Sequence, residues 1–281
     1  MIRKIQNSVF LVLLLIFGMG CSQDDTGEIG TEPIPVLQKK QFIVDKIYDY
    51  NDELLAEYFY NSNNQLIKRT VYSPVAYPGI KVADNELTYT DGKITNISFV
   101  DYTHPEFNHD IKVFYDSEGK ISADETIQFG RKISRRDYLY FPNGQLRSFV
   151  SEGQMENFFF NYKNTQNALE VRVLHLDDDS VVINAMDKYI ENFRNFVYDD
   201  KSKPDFGIGN IFQFEPMPLY GEEAQLEKNI SKNNLIEFVN GTQWKHTYNE
   251  QNLPETIDVK WKDVEFSTPM VFKIKYKEVI K

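Results

Sequence analysis

Apolar and polar residues alternate in short runs along most of this chain, and a polar turn closes each run. The clearest case is Ile111-Lys112-Val113-Phe114-Tyr115-Asp116-Ser117-Glu118-Gly119-Lys120-Ile121. Ile111, Val113 and Tyr115 share one face and Lys112 and Phe114 the other, the period of a β-strand. Looser copies run over Glu57–Ile67, Leu87–Ile94, Tyr138–Leu146 and Phe158–Leu169, with a late one at Thr247–Leu253. The strand-end aromatics Tyr60, Tyr89, Tyr115, Tyr140 and Tyr162 lie 22 to 29 residues apart. Each interval holds one hairpin and its return strand, and such a period marks a structural array. The pattern predicts a mainly all-β fold: an antiparallel meander of successive hairpins forming a curved or twisted sheet, with at most one or two short helices.

Turn chemistry places the hairpins. Asp91-Gly92 and Asn143-Gly144 suit two-residue turns, which need positive φ. Asn61–Gln65, Asp116–Gly119 and Asn249–Asn252 are the other expected turns. On Phe158, Phe160 and Tyr162 one face carries three aromatics, whereas Phe114 and Phe159 put apolar groups on the opposite face. Both faces are therefore expected to be at least partly covered. Between Asp177 and Lys232 the rhythm breaks. Asn192–Tyr198 reads as a strand, while Ala185–Phe196 also fits a short helix, with Met186, Tyr189, Ile190 and Phe193 at helical spacing. Glu222–Lys228 is a second short helical candidate.

The N-terminus reads differently. Arg3 and Lys4 precede an apolar run from Val9 to Phe17, too short to span a bilayer, followed by Gly18, Gly20 and Cys21, the chain's single cysteine. Leu15–Cys21 resembles a bacterial lipobox, with Gly18 where leucine is usual, which implies a lipid-modified Cys21. Several acyl chains would make an effectively permanent anchor. Ser22, Gln23, Asp24 and Asp25 resemble the acidic signal that sends lipoproteins of Bacteroidetes-type bacteria to the cell surface. Residues 22–38 lack apolar periodicity and carry Gly27, Gly30, Pro33 and Pro35, the composition of a disordered tether. The expected organisation is a signal peptide over 1–20, a lipidated cysteine and tether over 21–38, and one β domain over 39–281.

Charge narrows the partners. The chain has 31 basic and 42 acidic residues, a net charge of −11. Loss of Arg3 and Lys4 with the signal would take the mature chain to −13. So acidic a body argues against nucleic acid or anionic lipid as the main partner. The abundance of phenylalanine (21) and tyrosine (17) suits pleated, half-buried surfaces.

Candidate chemistry is sparse. His104, Glu106, His109 and Asp110 gather metal-ligating groups within seven residues, but Pro105 argues for a loop and no regular element sets their spacing. Asp177-Asp178-Asp179 offers oxygen ligands without the glycine and glutamate of an EF-hand loop. Asp179-Ser180-Val181 resembles a short O-glycosylation acceptor. No phosphate loop, Gly-x-Ser-x-Gly or His-Glu-x-x-His occurs, so no catalytic residue or cofactor is assigned. Paired carboxylates for glycoside hydrolysis would meet only in space. Trp244 and Trp261 could stack on sugars, although large aromatics in β proteins mostly fill cores.

The phrase aromatic-x-aromatic-Asp/Asn-x-x-Gly-Lys/Gln-Leu/Ile resembles the YD repeat of Rhs-type shells and of uncharacterised lipoproteins from Bacteroidetes-type bacteria. Tyr198-Asp199-Asp200-Lys201-Ser202-Lys203-Pro204-Asp205-Phe206 and Asn233-Asn234-Leu235 resemble further segments of those lipoproteins. The resemblance spans roughly residues 42–276; it implies successive hairpins and no activity. Together these features lead to an expected outer-membrane, lipid-anchored, surface-exposed protein whose non-enzymatic β-sheet scaffold serves binding or structural roles, with a surface protein or glycan as candidate partner. A surface glycan-binding or glycan-hydrolysing accessory protein and an immunity-like or shielding protein are the alternatives.

Overall fold

In a computed structural model, residues 40–73, 79–152, 156–176, 189–208, 230–238, 241–261 and 270–280 are described. Cys21 and Ser22–Asp25 lie outside them, as do Asp177–Asp179, Ala185–Lys188 and Glu222–Lys228. The first eight strands are β1 (Lys40–Tyr48), β2 (Leu54–Tyr60), β3 (Leu66–Tyr72), β4 (Lys81–Thr90), β5 (Lys93–Asp101), β6 (His109–Tyr115), β7 (Ile121–Gln128) and β8 (Arg131–Tyr140). They continue as β9 (Leu146–Glu152), β10 (Glu156–Asn161), β11 (Glu170–Leu176), β12 (Tyr189–Ser202), β13 (Asn233–Phe238), β14 (Gln243–Tyr248), β15 (Pro254–Lys260) and β16 (Met270–Ile280).

Each strand pairs antiparallel with its sequence neighbours, as a meander requires. The sheet is not open, however. β1 pairs with β16 from Lys40↔Ile280 to Tyr48↔Lys273, closing a 16-stranded barrel. Closure supplies partners to edge N–H and C=O groups that an open sheet would leave exposed. It replaces the expected curved sheet, because the partner of the first strand lies more than 220 residues away, beyond any local signal. The helical alternative at Ala185–Phe196 is also corrected: from Tyr189 onward the chain is strand β12. A 3-10 turn over Pro105–Phe107 interrupts the β5–β6 connection.

Strand alternation sorts the wall into two faces. Leu87, Ile97, Ile111, Val113, Tyr138, Phe149, Phe160, Trp244, Ile257 and Phe272 are buried in one continuous core. Closing the sheet turns that face inward. The outward face is charged: one row across six neighbouring strands reads Thr88, Asn96, Lys112, Glu125, Arg135, Glu152. A second reads Lys68, Glu86, Ser98, Asp110, Ile127, Lys132. Opposite charges face each other along these rows, as in Lys68–Glu86 at 2.9 Å and Arg135–Glu125 at 2.9 Å. A membrane-spanning barrel needs the reverse, an apolar band outside and polar groups within. The sorting is not complete: Phe59, Phe114 and Leu139 are exposed on the outer face, and Arg69, Asn85 and Asp124 are buried on the inner one.

Six turns share one geometry. In Asp49–Glu53, Asn61–Gln65, Asp116–Lys120, Phe141–Gln145, Phe238–Thr242 and Asn249–Leu253 the first N–H donates to the fifth carbonyl and the fourth N–H to the first carbonyl. The fourth residue has positive φ, and it is Asp52, Asn64, Gly119, Gly144, Gly241 or Asn252. Where the first residue is Asp or Asn, its Oδ1 accepts from the third and fifth N–H groups. This is why an aromatic is followed by Asp or Asn. Asn143-Gly144 therefore belongs to a three-residue loop in which only Gly144 is left-handed; Asp91-Gly92, with φ of 51° and 76°, is the two-residue turn.

Candidate functional site

The connections β2–β3, β4–β5, β6–β7, β8–β9, β10–β11, β12–β13 and β14–β15 all lie at one rim, and a recess of about 1600 Å³ opens there. Its shape begins with the strand-end tyrosines. Tyr60, Tyr89, Tyr115, Tyr140, Tyr198 and Tyr248 each sit where the pairing register slips. Such bulges sharpen twist and break the ladder locally. The tyrosine hydroxyl reaches back to a carbonyl earlier in the chain. Tyr60 donates to the Val44 carbonyl, Tyr89 to Leu66, Tyr115 to Ile94, Tyr140 to Ile121, Tyr198 to Ala168 and Tyr276 to Pro254, at 2.5–3.1 Å. Burial pushes the Tyr89 phenol up to about 12 and those of Tyr60, Tyr140, Tyr162 and Tyr276 higher still. They are neutral donors at physiological pH, forming an aromatic girdle inside the mouth.

Residues just after each turn reach across to the next hairpin. Gln65 Nε2 donates to the Gly92 carbonyl and Gln145 Nε2 to the Thr165 carbonyl. At the intervening positions the same reach is made by lysine. Lys93 Nζ lies 5.1 Å from the Tyr115 ring centroid and Lys120 Nζ 5.8 Å from that of Tyr140. Gly119 makes room: a Cβ there would stand 3.0 Å from Lys93 Nζ. Cation–π contact holds each ammonium over a ring without neutralising it.

The β12–β13 connection is fastened to the same rim at both ends. Asp199 Oδ1 accepts from the Lys201 and Asn234 N–H groups, and its Oδ2 from Asn234 Nδ2 and the Tyr248 hydroxyl. The two segments that stand out in the sequence, Tyr198–Phe206 and Asn233-Asn234-Leu235, thus meet in space. Phe206 then dips into the core, 5.2 Å from the Tyr58 ring, and the Asp205 carbonyl accepts from Val44 N–H. On the returning side Ser231 Oγ accepts from Ala168 N–H, and Asn167 Oδ1 from Lys232 and Asn233.

The lining is one-sided in charge. Among the described residues it holds Lys93, Lys120, Lys163, Lys203 and Lys232, with rim amides such as Asn143, Asn164 and Gln166, and no Asp, Glu, His or Cys. Outside the lining, Glu118 pairs with Lys120 at 2.7 Å and Glu170 with Lys163 at 3.8 Å. In a chain of net charge −11, the described lining of this recess thus gathers cations.

The other candidate residues do not converge. His109 Nδ1 bonds to the Phe107 carbonyl and its ring packs on Phe99; His104 Nδ1 meets Thr103 Oγ1. Asp110 accepts from the Ser98 hydroxyl. No group of three or more His, Cys, Asp or Glu able to hold a metal ion occurs among the described residues, so His104, Glu106, His109 and Asp110 form no such site. Trp244 is buried in the core and Trp261 packs against it, so neither is a platform for sugars. Asp84, on the outer face, is bonded by Lys68, Lys81, Thr70 and Tyr102. Burial would raise its pKa, but these hydrogen bonds outweigh burial and hold it at about 2. It is a structural ion cluster. The mouth was missed in the sequence because its lysines come from turns far apart in the chain.

No family model and no curated protein matches this chain. Among solved structures it is similar to a porin-like protein from Bacteroides uniformis (10% identity, 85% of this chain and 98% of the other, TM-score 0.49). A porin-like protein from Bacteroides vulgatus superposes at TM-score 0.36 (13% identity, 84% and 99% covered). The Photorhabdus luminescens Tc holotoxin pore gives 0.30 (11% identity), with 82% of this chain matched to 12% of that one. All three scores lie below 0.5, so the wall and mouth chemistry described above is the ground for a functional reading.

Proposed function

We propose that this chain is a lipid-anchored outer-membrane protein displayed at the cell surface, whose barrel is a non-catalytic binding scaffold. The ligand site is the mouth, and its ligand is an acidic oligosaccharide. The observation that carries this reading is the lining: five lysines and no acid among the described residues. Ammonium groups held over tyrosine rings suit carboxylate or sulfate groups, and the rim amides suit hydroxyls. Hydrolysis of a glycan at this site is disfavoured, because it calls for a pair of carboxylates flanking the scissile bond.

The test is a titration of the Cys21→Ser protein against acidic and neutral oligosaccharides of matched length. Binding of the acidic set is expected, weakened at least tenfold by Lys93→Glu and reduced by salt as exposed ionic contacts are. Equal binding of neutral and acidic sugars, or indifference to Lys93→Glu, would reject the mouth as the site.

A further inference from the structure

The rim opposite the mouth has the contrary character. Its connections β1–β2, β3–β4, β5–β6 and β7–β8 carry Tyr50, Ile80, Tyr102, Phe107 and Phe129, with Ile133 just beyond the last turn, all exposed. No large apolar side chain is exposed in the described turns of the mouth rim. The contrast holds for the described turns; in the strands next to the mouth turns Phe59, Ile67, Phe114 and Leu139 are exposed.

Phe129 is the most telling. It is 77% exposed and occupies the first position of the two-residue Phe129-Gly130 turn with φ of 50°. A bulky side chain rarely adopts that conformation, whereas Asn or Gly adopts it without strain and is at home in water. Both the local backbone and the solvent thus oppose phenylalanine here. Strain kept at an exposed tip points to a surface that meets something else.

We infer that this rim rests on a lipid bilayer, its apolar tips entering the interfacial layer. The tips stand on four separate connections with polar residues between them; Tyr102 is held by Asp84 and Lys81, and Tyr50, Ile80, Phe107 and Phe129 are the ones offered to a soft interface. A protein partner would need a matching hole for each. Tyrosine and phenylalanine are side chains that favour the membrane–water boundary. The geometry of attachment permits it, and this step rests on the anchoring reading above. β1 starts at the mouth rim with Lys40. Residues 22–38 precede it, and 17 residues reach at most about 50–60 Å. The barrel then stands with its lysine-lined mouth away from the membrane, open to soluble ligand.

The experiment replaces the acyl chains so that the two readings fail separately. The chain from residue 21, with Cys21→Ser and an N-terminal hexahistidine tag, is held on phosphatidylethanolamine–phosphatidylcholine vesicles containing a nickel-chelating lipid. A polarity-sensitive fluorophore is placed at Arg131→Cys on the apolar rim or at Asn143→Cys on the mouth rim. The Arg131 label is expected to shift to the blue and to be quenched several-fold by nitroxide lipids, and the Asn143 label to do neither. Adding Phe129→Ser and Ile133→Ser should abolish the response at Arg131. A response at Asn143, no response at either label, or a response unchanged by the serine substitutions would overturn the inference. Because no acyl chain is present, loss of lipidation at Cys21 would leave the result standing.

Discussion

Gly144 and its counterparts show how much one dihedral angle decides. Six turns demand a left-handed residue at the same place, met by glycine at 119, 144 and 241, by asparagine at 64 and 252, and by aspartate at 52. Gly144→Val should lower stability by roughly 1–2 kcal/mol, the cost of forcing a β-branched residue into that region. Gly144→Asn should cost well under half of that, since Asn64 and Asn252 already hold the conformation. Urea midpoints of the two variants would decide, and equal losses would place the cause outside the backbone. In the longer β10–β11 turn Lys163 and Asn164, at φ of 45° and 65°, form a left-handed pair, so that turn has its own demand. Gly119 carries a second requirement, because a Cβ there would crowd Lys93 Nζ.

At the scale of the element, the repeating unit is a hairpin, a bulge and a tyrosine. Pairing with the preceding hairpin stops short of its last carbonyls, as β5–β6 pairing stops at Asn96↔Lys112, and the tyrosine hydroxyl reaches the Ile94 carbonyl beyond that point. Tyr115→Phe should therefore cost about 1 kcal/mol, the usual net worth of such a bond. Tyr115→Leu should cost more, because it also removes the ring that holds Lys93. Denaturant unfolding of both variants checks the order; a silent Tyr115→Phe would mean that the Ile94 carbonyl is satisfied without the hydroxyl. The aromatic-Asp phrase is legible in the sequence because its physics is local: the Oδ1 of the first turn residue and the φ of the fourth lie within five residues. Tyr48-Asp49 is one more copy that the spacing of the others concealed, as its turn faces the opposite rim.

The described strands close into a barrel whose outer face carries rows of ion pairs and whose core is mainly apolar. No described helix is long and apolar enough to cross a bilayer. If Cys21 carries the anchor, the mature protein should partition into detergent and incorporate labelled fatty acid, and Cys21→Ala should abolish both. Protease added to intact cells should digest the wild type, with protection when Asp24 and Asp25 are replaced by alanine. Persistent labelling of Cys21→Ala would remove the anchor from the proposal, and digestion only after the outer membrane is opened would place the barrel in the periplasm.

What the chain determines by itself is whatever depends on near neighbours: strand period, hairpin positions, turn residues, the charge of the body and the lipobox-like stretch at Cys21. These follow from side-chain alternation and from the few conformations open to Gly, Asn and Asp. Tertiary structure alone decided the rest. Closure joins Lys40 to Ile280, and the sign of the wall follows from it, because only a closed sheet has an inside for Leu87 and Phe149 to face. The recess exists for the same reason. Lys93, Lys120, Lys163, Lys203 and Lys232 are scattered along the chain, and circular closure of the strands brings them to one mouth, as it sends Phe129 and its companions to the other end.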